Sequence, residues 1–221
     1  MESNASNQII FSTGDTYIGE IKLEESENEP TIHGAGILYF TNGDTYEGNF
    51  NNGTREGRGI YLYSNGDKFS GRFVNGSKDG LGIFQFSSGN FYEGKFKNNF
   101  MEGEGKMKFS DGSIYSGEFK EDKFNGFGIY KYSSGDIYCG EFRNGLMEGI
   151  GIFSFSSGDC YKGEFLNDQM EGVGTYLYSD MDYFEGEFKE DQKNGFGILY
   201  SISGERLEAT WINGKRTDKV L

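Results

Sequence analysis

Few side chains in this sequence could do chemistry, and most of those recur at a fixed interval. His33 is the single histidine. One imidazole cannot build a metal site alone, and catalysis needs a nucleophile, a base or a metal gathered in a pocket. Cys139 and Cys160 are too few for a disulfide-stapled domain and lack the spacing of a metal site. Gly103-Glu104-Gly105-Lys106 resembles a phosphate loop in outline, without its length or its Lys-Ser/Thr pair. Asp44, Asp67, Asp136 and Asp159 occur one per unit, each after a turn glycine. They read as turn-capping groups rather than paired catalytic carboxylates. Lys95, Lys106, Lys108 and Lys131 could hold an anionic lipid or an acidic ligand. Glu93, Glu102, Glu104, Glu118 and Glu121 dilute that patch, and a solvated strand face is the plainer reading. No catalytic, metal or cofactor residue is nominated, and no cofactor is expected.

The elements that position these residues form a repeat. Glycine pairs spaced G-x-G begin at Gly34, Gly57, Gly80, Gly103, Gly126, Gly149, Gly172 and Gly195, always 23 residues apart. A second motif, aromatic-x-Gly-x-Phe, keeps the same step from Tyr46-Glu47-Gly48-Asn49-Phe50 to Phe184-Glu185-Gly186-Glu187-Phe188. The eighth copy degenerates to Leu207, Ala209 and Trp211. The phase places a partial repeat with an acidic insert over 9–33, eight full repeats over 34–217, a flexible N-terminus over 1–8 and a tail over 218–221. The insert, between Lys22 and Ile32, reads as an exposed loop. One continuous array is expected, roughly 80 Å long at ~4.8 Å per strand.

Each unit reads as two strands joined by a turn dipeptide such as Asn42-Gly43, Asn65-Gly66 or Ser134-Gly135. Side chains alternate faces along a strand. Leu38, Phe40, Tyr46 and Phe50 share a face only if the hairpin loop holds an odd number of residues. That favours a three-residue loop, Thr41-Asn42-Gly43, with Gly43 left-handed. A six-residue polar connector would then set Phe50 opposite Gly57, Gly48 opposite Gly59 and Tyr46 opposite Tyr61. Gly36, Gly48, Gly59, Gly71, Gly82 and Gly94 would form one lane, covered by neighbouring rings. The opposite face carries Ile60, Ile83, Lys106, Ile129 and Ile152 with Glu118, Glu141, Glu164 and Glu187, and is expected to meet water. The fold class is therefore all-β: an elongated, twisted, single-layer antiparallel array of hairpins.

Composition agrees. Thirty-six glycines and 17% aromatics with one proline exclude collagen and a disordered linker. A net charge of −14 disfavours nucleic acid and weakens an anionic-lipid reading. The polar opening, Glu2 and the closing Asp218-Lys219-Val220-Leu221 offer no signal peptide, myristoylation site or prenylation box. No stretch approaches ~18 apolar residues. Sequons at Asn4, Asn52 and Asn75 carry no weight without a secretory signal. A cytoplasmic protein is the expectation.

The units resemble the MORN motif (membrane occupation and recognition nexus). The matching residues include Tyr92-Glu93-Gly94-Lys95-Phe96, Gly103-Glu104-Gly105 and Gly135-Asp136, and the resemblance covers residues 9 to 217. Met181 departs from it at a turn glycine, and Asn90 and Ser113 depart at the turn Asp. The resemblance implies a scaffold without catalytic activity of its own, in a cytoskeletal, ciliary or membrane-associated assembly. A protein partner, a helix or extended peptide with basic and apolar residues, is expected in an aromatic–glycine groove. Tyr46, Tyr61, Phe69, Tyr92, Tyr115, Tyr130 and Tyr138 would line it. The alternatives are a peripheral adaptor for anionic phospholipid, and the regulatory segment of an enzyme whose catalytic part lies elsewhere. The final strand, with Leu199, Leu207 and Trp211, invites end-to-end pairing of two copies or cover by a short tail.

Overall fold

The structure, a computed structural model, describes residues 7–23 and 30–217. The expectations for the N-terminus, for most of the acidic insert and for the tail lie outside these residues. The chain divides into two compact units, residues 1–110 and 111–221. In the first, antiparallel strands follow one another as Asn7–Ile10, Thr16–Lys22, Thr31–Tyr39, Thr45–Asn51, Thr54–Leu62, Lys68–Val74, Ser77–Gln85, Phe91–Lys97 and Phe100–Lys108. In the second they run Ile114–Lys120, Lys123–Lys131, Ile137–Arg143, Leu146–Ser154, Cys160–Leu166, Gln169–Leu177, Tyr183–Lys189, Gln192–Tyr200, Arg206–Ile212 and Lys215–Arg216. Each strand pairs with its neighbours in the chain, so each unit is a single-layer array of hairpins.

The three-residue loop is present. Phe40 N–H donates to the Asp44 carbonyl and Gly43 N–H to the Phe40 carbonyl, both at 3.0 Å, and Gly43 has φ +90°. Only a residue without Cβ adopts that angle cheaply. At Met181 the same place has φ 75° with a side chain 61% exposed. No packing compensates there. Met181→Gly should therefore raise stability by about 1 kcal/mol. A lower melting temperature in the variant would show that this turn draws on something else.

The connector differs from the expectation. It is not a six-residue loop, and Phe50 does not face Gly57. Phe50 pairs with Arg55, and Asn51 with Thr54. Asn52 (φ 45°) and Gly53 (φ 80°) make a two-residue turn with both central residues left-handed, the hairpin geometry that matches strand twist. The remaining residues enter as a bulge after Gly48, with Gly57 at φ +75°. Gly57 instead faces Phe73 on the following strand. The same turn falls at Glu121-Asp122 and Glu190-Asp191, with all four φ positive.

The glycine lane follows the expected register. Gly48 pairs with Gly36 and Gly59, and Gly71 with Gly59 and Gly82. In the second unit the lane runs from Gly117 to Gly197 and ends at Ala209. The core lies over it. Tyr46 meets Phe50 and Phe73 edge to face, at centroid distances of 5.1 and 5.0 Å. Tyr138 meets Phe142 and Phe165 likewise, at 5.1 and 5.0 Å. Such pairs add ~1 kcal/mol each beyond the area they bury. At the end, Trp211 takes the place of a Phe against Phe184, 5.4 Å away. Lys215 and Arg216 fold back to pair with Ile212 and Trp211, and Thr217 N–H donates to the Thr210 carbonyl.

Candidate functional site

The expected groove residues separate into two groups. Tyr46, Phe69, Tyr92, Tyr115 and Tyr138 are fully buried. A Cβ added at Gly59 would lie 2.4 Å from the Tyr46 hydroxyl, and one at Gly151 2.5 Å from that of Tyr138. These rings fill the lane rather than line it. Their hydroxyls are also engaged. Tyr46, Tyr92, Tyr115 and Tyr138 donate to the carbonyls of Asn49, Lys95, Glu118 and Glu141, at 2.8–3.1 Å. Each bond satisfies a carbonyl beside the bulge. Burial pushes the Tyr46 phenol up to about 12. These five rings therefore offer a partner neither surface nor polar handle, which corrects the expectation for them.

Tyr61 and Tyr130 are half-buried and belong to a different row. Phe40, Tyr61, Tyr63, Phe84 and Phe86 succeed one another at centroid distances of 5.7, 4.5, 5.7 and 4.5 Å. In the second unit Tyr130, Tyr132, Phe153, Phe155, Tyr176 and Tyr178 do the same at 4.4–5.8 Å. This ladder stands on the ring-covered face, beside the three-residue loops, and its members cover no glycine. Apart from the buried Phe84 they are half-buried, with Arg55 over Tyr61, Lys78 over Tyr63 and Phe84, and Lys193 over Tyr178. It recurs at residues such as Tyr61 and Tyr63, spaced two apart before each turn dipeptide. That signal is legible in the sequence once the lane is assigned to other rings.

The turn carboxylates act as clasps, not as catalytic pairs. Asp44 Oδ1 accepts the N–H of Ser64, in the next loop, at 2.8 Å. Asp15, Asp67, Asp136, Asp159 and Asp182 do the same for Thr41, Ser87, Ser156, Ser179 and Ile202, at 2.7–2.9 Å. Asn90 and Ser113, where the motif loses its Asp, still supply an oxygen, to Ser110 and Ser133. The backbone N–H bonds from Thr41, Ser87, Ser156 and Ser179 hold the carboxyls of Asp15, Asp67, Asp136 and Asp159 below the usual 3.8. At Asp44 burial acts upward but is outweighed by bonds from Tyr61, Ser64 and Asn42. A folded value below the unfolded one gives stabilisation that is complete above the unfolded value and is lost as pH falls through the folded one. Melting temperature should hold steady down to about pH 5 and fall steeply below about pH 4. An unchanged melting temperature at about pH 3 would exclude this role.

The expected lysine patch is exposed, and it falls in both units. Lys95, Lys106 and Lys108 lie in the first, opposite Leu81, Glu93 and Phe91. Lys131 belongs to the second, opposite Ile114 and Ile137. In each unit the strand face that carries them is less polar than its sequence suggested. Leu81 is 71% exposed, and Phe127, Ile150, Val173 and Phe196 are exposed as well. All are the middle residue of G-x-G, hidden in the sequence as a mere spacer between glycines. Among the described residues, the buried His33 Nδ1 finds no hydrogen-bond partner. Cys139 pairs with Ile152 and Cys160 with Ser154, so the two thiols are two strands and two residues apart and remain free.

Solved structures with some likeness include the TCP10 domain of Danio rerio CPAP, alone (TM-score 0.49, 14% identity, 93% of this chain and 100% of that one). The same domain in complex with a peptide of Danio rerio STIL scores 0.47 at 13% identity, over 94% and 100% of the two chains. The SAS-4 TCP domain of Drosophila melanogaster, in complex with a proline-rich motif of Ana2, scores 0.38 at 12%, over 96% and 95%. No curated protein matches the chain. The MORN-repeat family model matches residues 32–45, 46–68, 69–91, 92–114, 115–137, 138–160, 161–181 and 184–206. With matches over most of its length, in phase with the glycine lane and its covering rings, the chain belongs to the MORN-repeat family.

Proposed function

We propose that the chain is a non-catalytic scaffold or adaptor that binds a protein partner on its ring-covered face. The observation that supports this reading is the aromatic ladder, which recurs unit after unit and is not needed to cover glycine. Large rigid rings suit protein contacts because little side-chain entropy is lost on binding. The net charge of −14 favours a partner with basic residues beside apolar anchors, as a helix or an extended peptide. A cytoskeletal or ciliary setting rests on the family resemblance alone. End-to-end pairing of two copies would use the part of strand Arg206–Ile212 that the returning tail leaves open, and a strict monomer at high concentration in sedimentation would exclude it.

Quantitative pull-down from cell extract tests the reading. The baits are the full chain, Tyr63→Ala with Tyr132→Ala, and Lys106→Glu with Lys108→Glu. A protein captured by the parent chain should be depleted at least tenfold on the ladder bait and retained on the lysine bait. Loss on the lysine bait alone, together with co-sedimentation on anionic liposomes, would replace the reading with the peripheral-adaptor one.

A further inference from the structure

A broad concavity in the first unit lies on the face opposite the rings. It is a groove of about 850 Å³ crossing four strands, from Thr54–Leu62 to Phe91–Lys97. Its floor is the backbone of the glycine lane at Gly59, Gly71, Gly82 and Gly94. Strand alternation gives it two unlike walls. Arg58, Arg72 and Leu81 stand on one side, and Ile60, Ser70 and Ile83 on the other. Arg58 and Arg72 face each other directly across the strands. Like charges in that position repel. Both are exposed, and among the described residues neither makes an ion pair. In a chain of net charge −14 that is a local exception.

The second unit shows what this position ordinarily does. Glu141, Glu164 and Glu187 lie over the bulge glycines and accept the N–H groups of Ile150, Val173 and Phe196, at 3.2–3.4 Å. In the first unit Arg72 and Lys95 occupy those places, packing over Gly80 and Gly103. A guanidinium or ammonium has no lone pair with which to accept. Among the described residues, the matching N–H groups of Leu81 and Glu104 therefore meet no such carboxylate. Carboxylates are missing from these two bulge positions, and one carboxylate, Glu93 opposite Ile83, stands at the far end of the groove from Arg58.

We propose that this groove binds an extended acidic segment of another protein, in which carboxylate residues alternate with apolar ones. An extended chain turns alternate side chains to opposite sides. Laid along the glycine floor, it presents carboxylates to Arg58 and Arg72, and apolar groups to Ile60 and Ile83. The Arg fork matches a carboxylate in two hydrogen bonds. Three strand spacings, roughly 14 Å, accommodate about four extended residues. A phosphate headgroup would satisfy the arginines but leave both isoleucines and Leu81 in water, so a peptide fits the two walls better than a lipid surface does.

Fluorescence anisotropy with the full chain tests this. The probes are a labelled eight-residue peptide of alternating Glu and Leu, and a peptide of the same composition with the four Glu and four Leu in separate blocks. The alternating peptide should bind saturably and at least tenfold more tightly than the block peptide. Arg58→Ala with Arg72→Ala should weaken it at least tenfold, and Leu81→Asp should weaken it as well, with melting temperatures near that of the parent chain. All three residues are exposed, so the variants are expected to fold. Equal affinity for the two peptides, or unchanged affinity in the folded arginine variant, would overturn the proposal. So would binding to phosphatidylinositol-phosphate vesicles or inorganic phosphate that depends on the arginines while the alternating peptide does not bind.

Discussion

Gly163→Ala is expected to cost about 3 kcal/mol, at the upper end for forcing an added methyl into a packed interior. A Cβ there would stand 2.4 Å from the Tyr161 hydroxyl, 2.6 Å from its Cζ and 2.7 Å from the Gly174 Cα. The last atom is backbone on the neighbouring strand and cannot rotate away. The chain itself contains the compensated form of this change. At the end of the lane Ala209 faces Gly197, and the residue two before it is Leu207 rather than a ring. Adding Tyr161→Leu to Gly163→Ala should therefore recover part of the loss. The double variant should be more stable than the sum of the singles by about 1 kcal/mol or more, a coupling typical of residues in contact. Urea denaturation of the four proteins measures it, and strict additivity would mean that ring and glycine do not act as one unit.

Tyr138→Ala should cost about 4 kcal/mol, as loss of a large buried ring does. The ring is fully buried, covers Gly140 and Gly151, and touches Phe142 and Phe165 edge to face. Removing it opens a void over the lane and strips the contacts of both phenylalanines. Tyr138→Phe should cost only about 1 kcal/mol, the net value of one hydrogen bond, because the Glu141 carbonyl loses its donor. Phe69 and Phe184 already occupy this place in two repeats. Urea midpoints for the two variants check the ratio. Equal losses would assign the role to the hydroxyl instead of the ring.

Much of this architecture is legible in the residues. Alternation demanded an odd hairpin loop, and Gly43 supplied the left-handed angle for it, so the pairing of Leu38 with Tyr46 and of Gly36 with Gly48 followed. The connector was not legible by the same argument. A six-residue loop and a two-residue turn with a bulge both preserve the alternation, and only the backbone angles at Asn52, Gly53 and Gly57 separate them. Alternation also assigns Tyr46 to a face without giving the tilt of its ring. Because Gly48 and Gly59 have no Cβ, the ring lies down across them, and the groove expected beside it is filled by the residue meant to line it. The basic groove escaped notice because Arg58 and Leu81 stand between glycines and Arg72 stands where most copies have Glu or Lys. Only the cross-strand register brings them together.

The clasps have a consequence for heredity. Asp136 holds the loop of the copy after it, and its own copy offers the matching donor, the Ser133 N–H, to the Ser113 hydroxyl of the copy before. Every copy thus enters with the socket that its predecessor needs and leaves with the plug that its successor needs. Duplication or loss of a whole copy restores each bond with a new partner of the same kind. A change of a few residues inside a copy leaves a plug without a socket. Gene slippage can therefore lengthen or shorten such a chain in whole-copy steps, and recognition residues such as Arg58 and Arg72 can diverge within one copy without disturbing the joints that hold it.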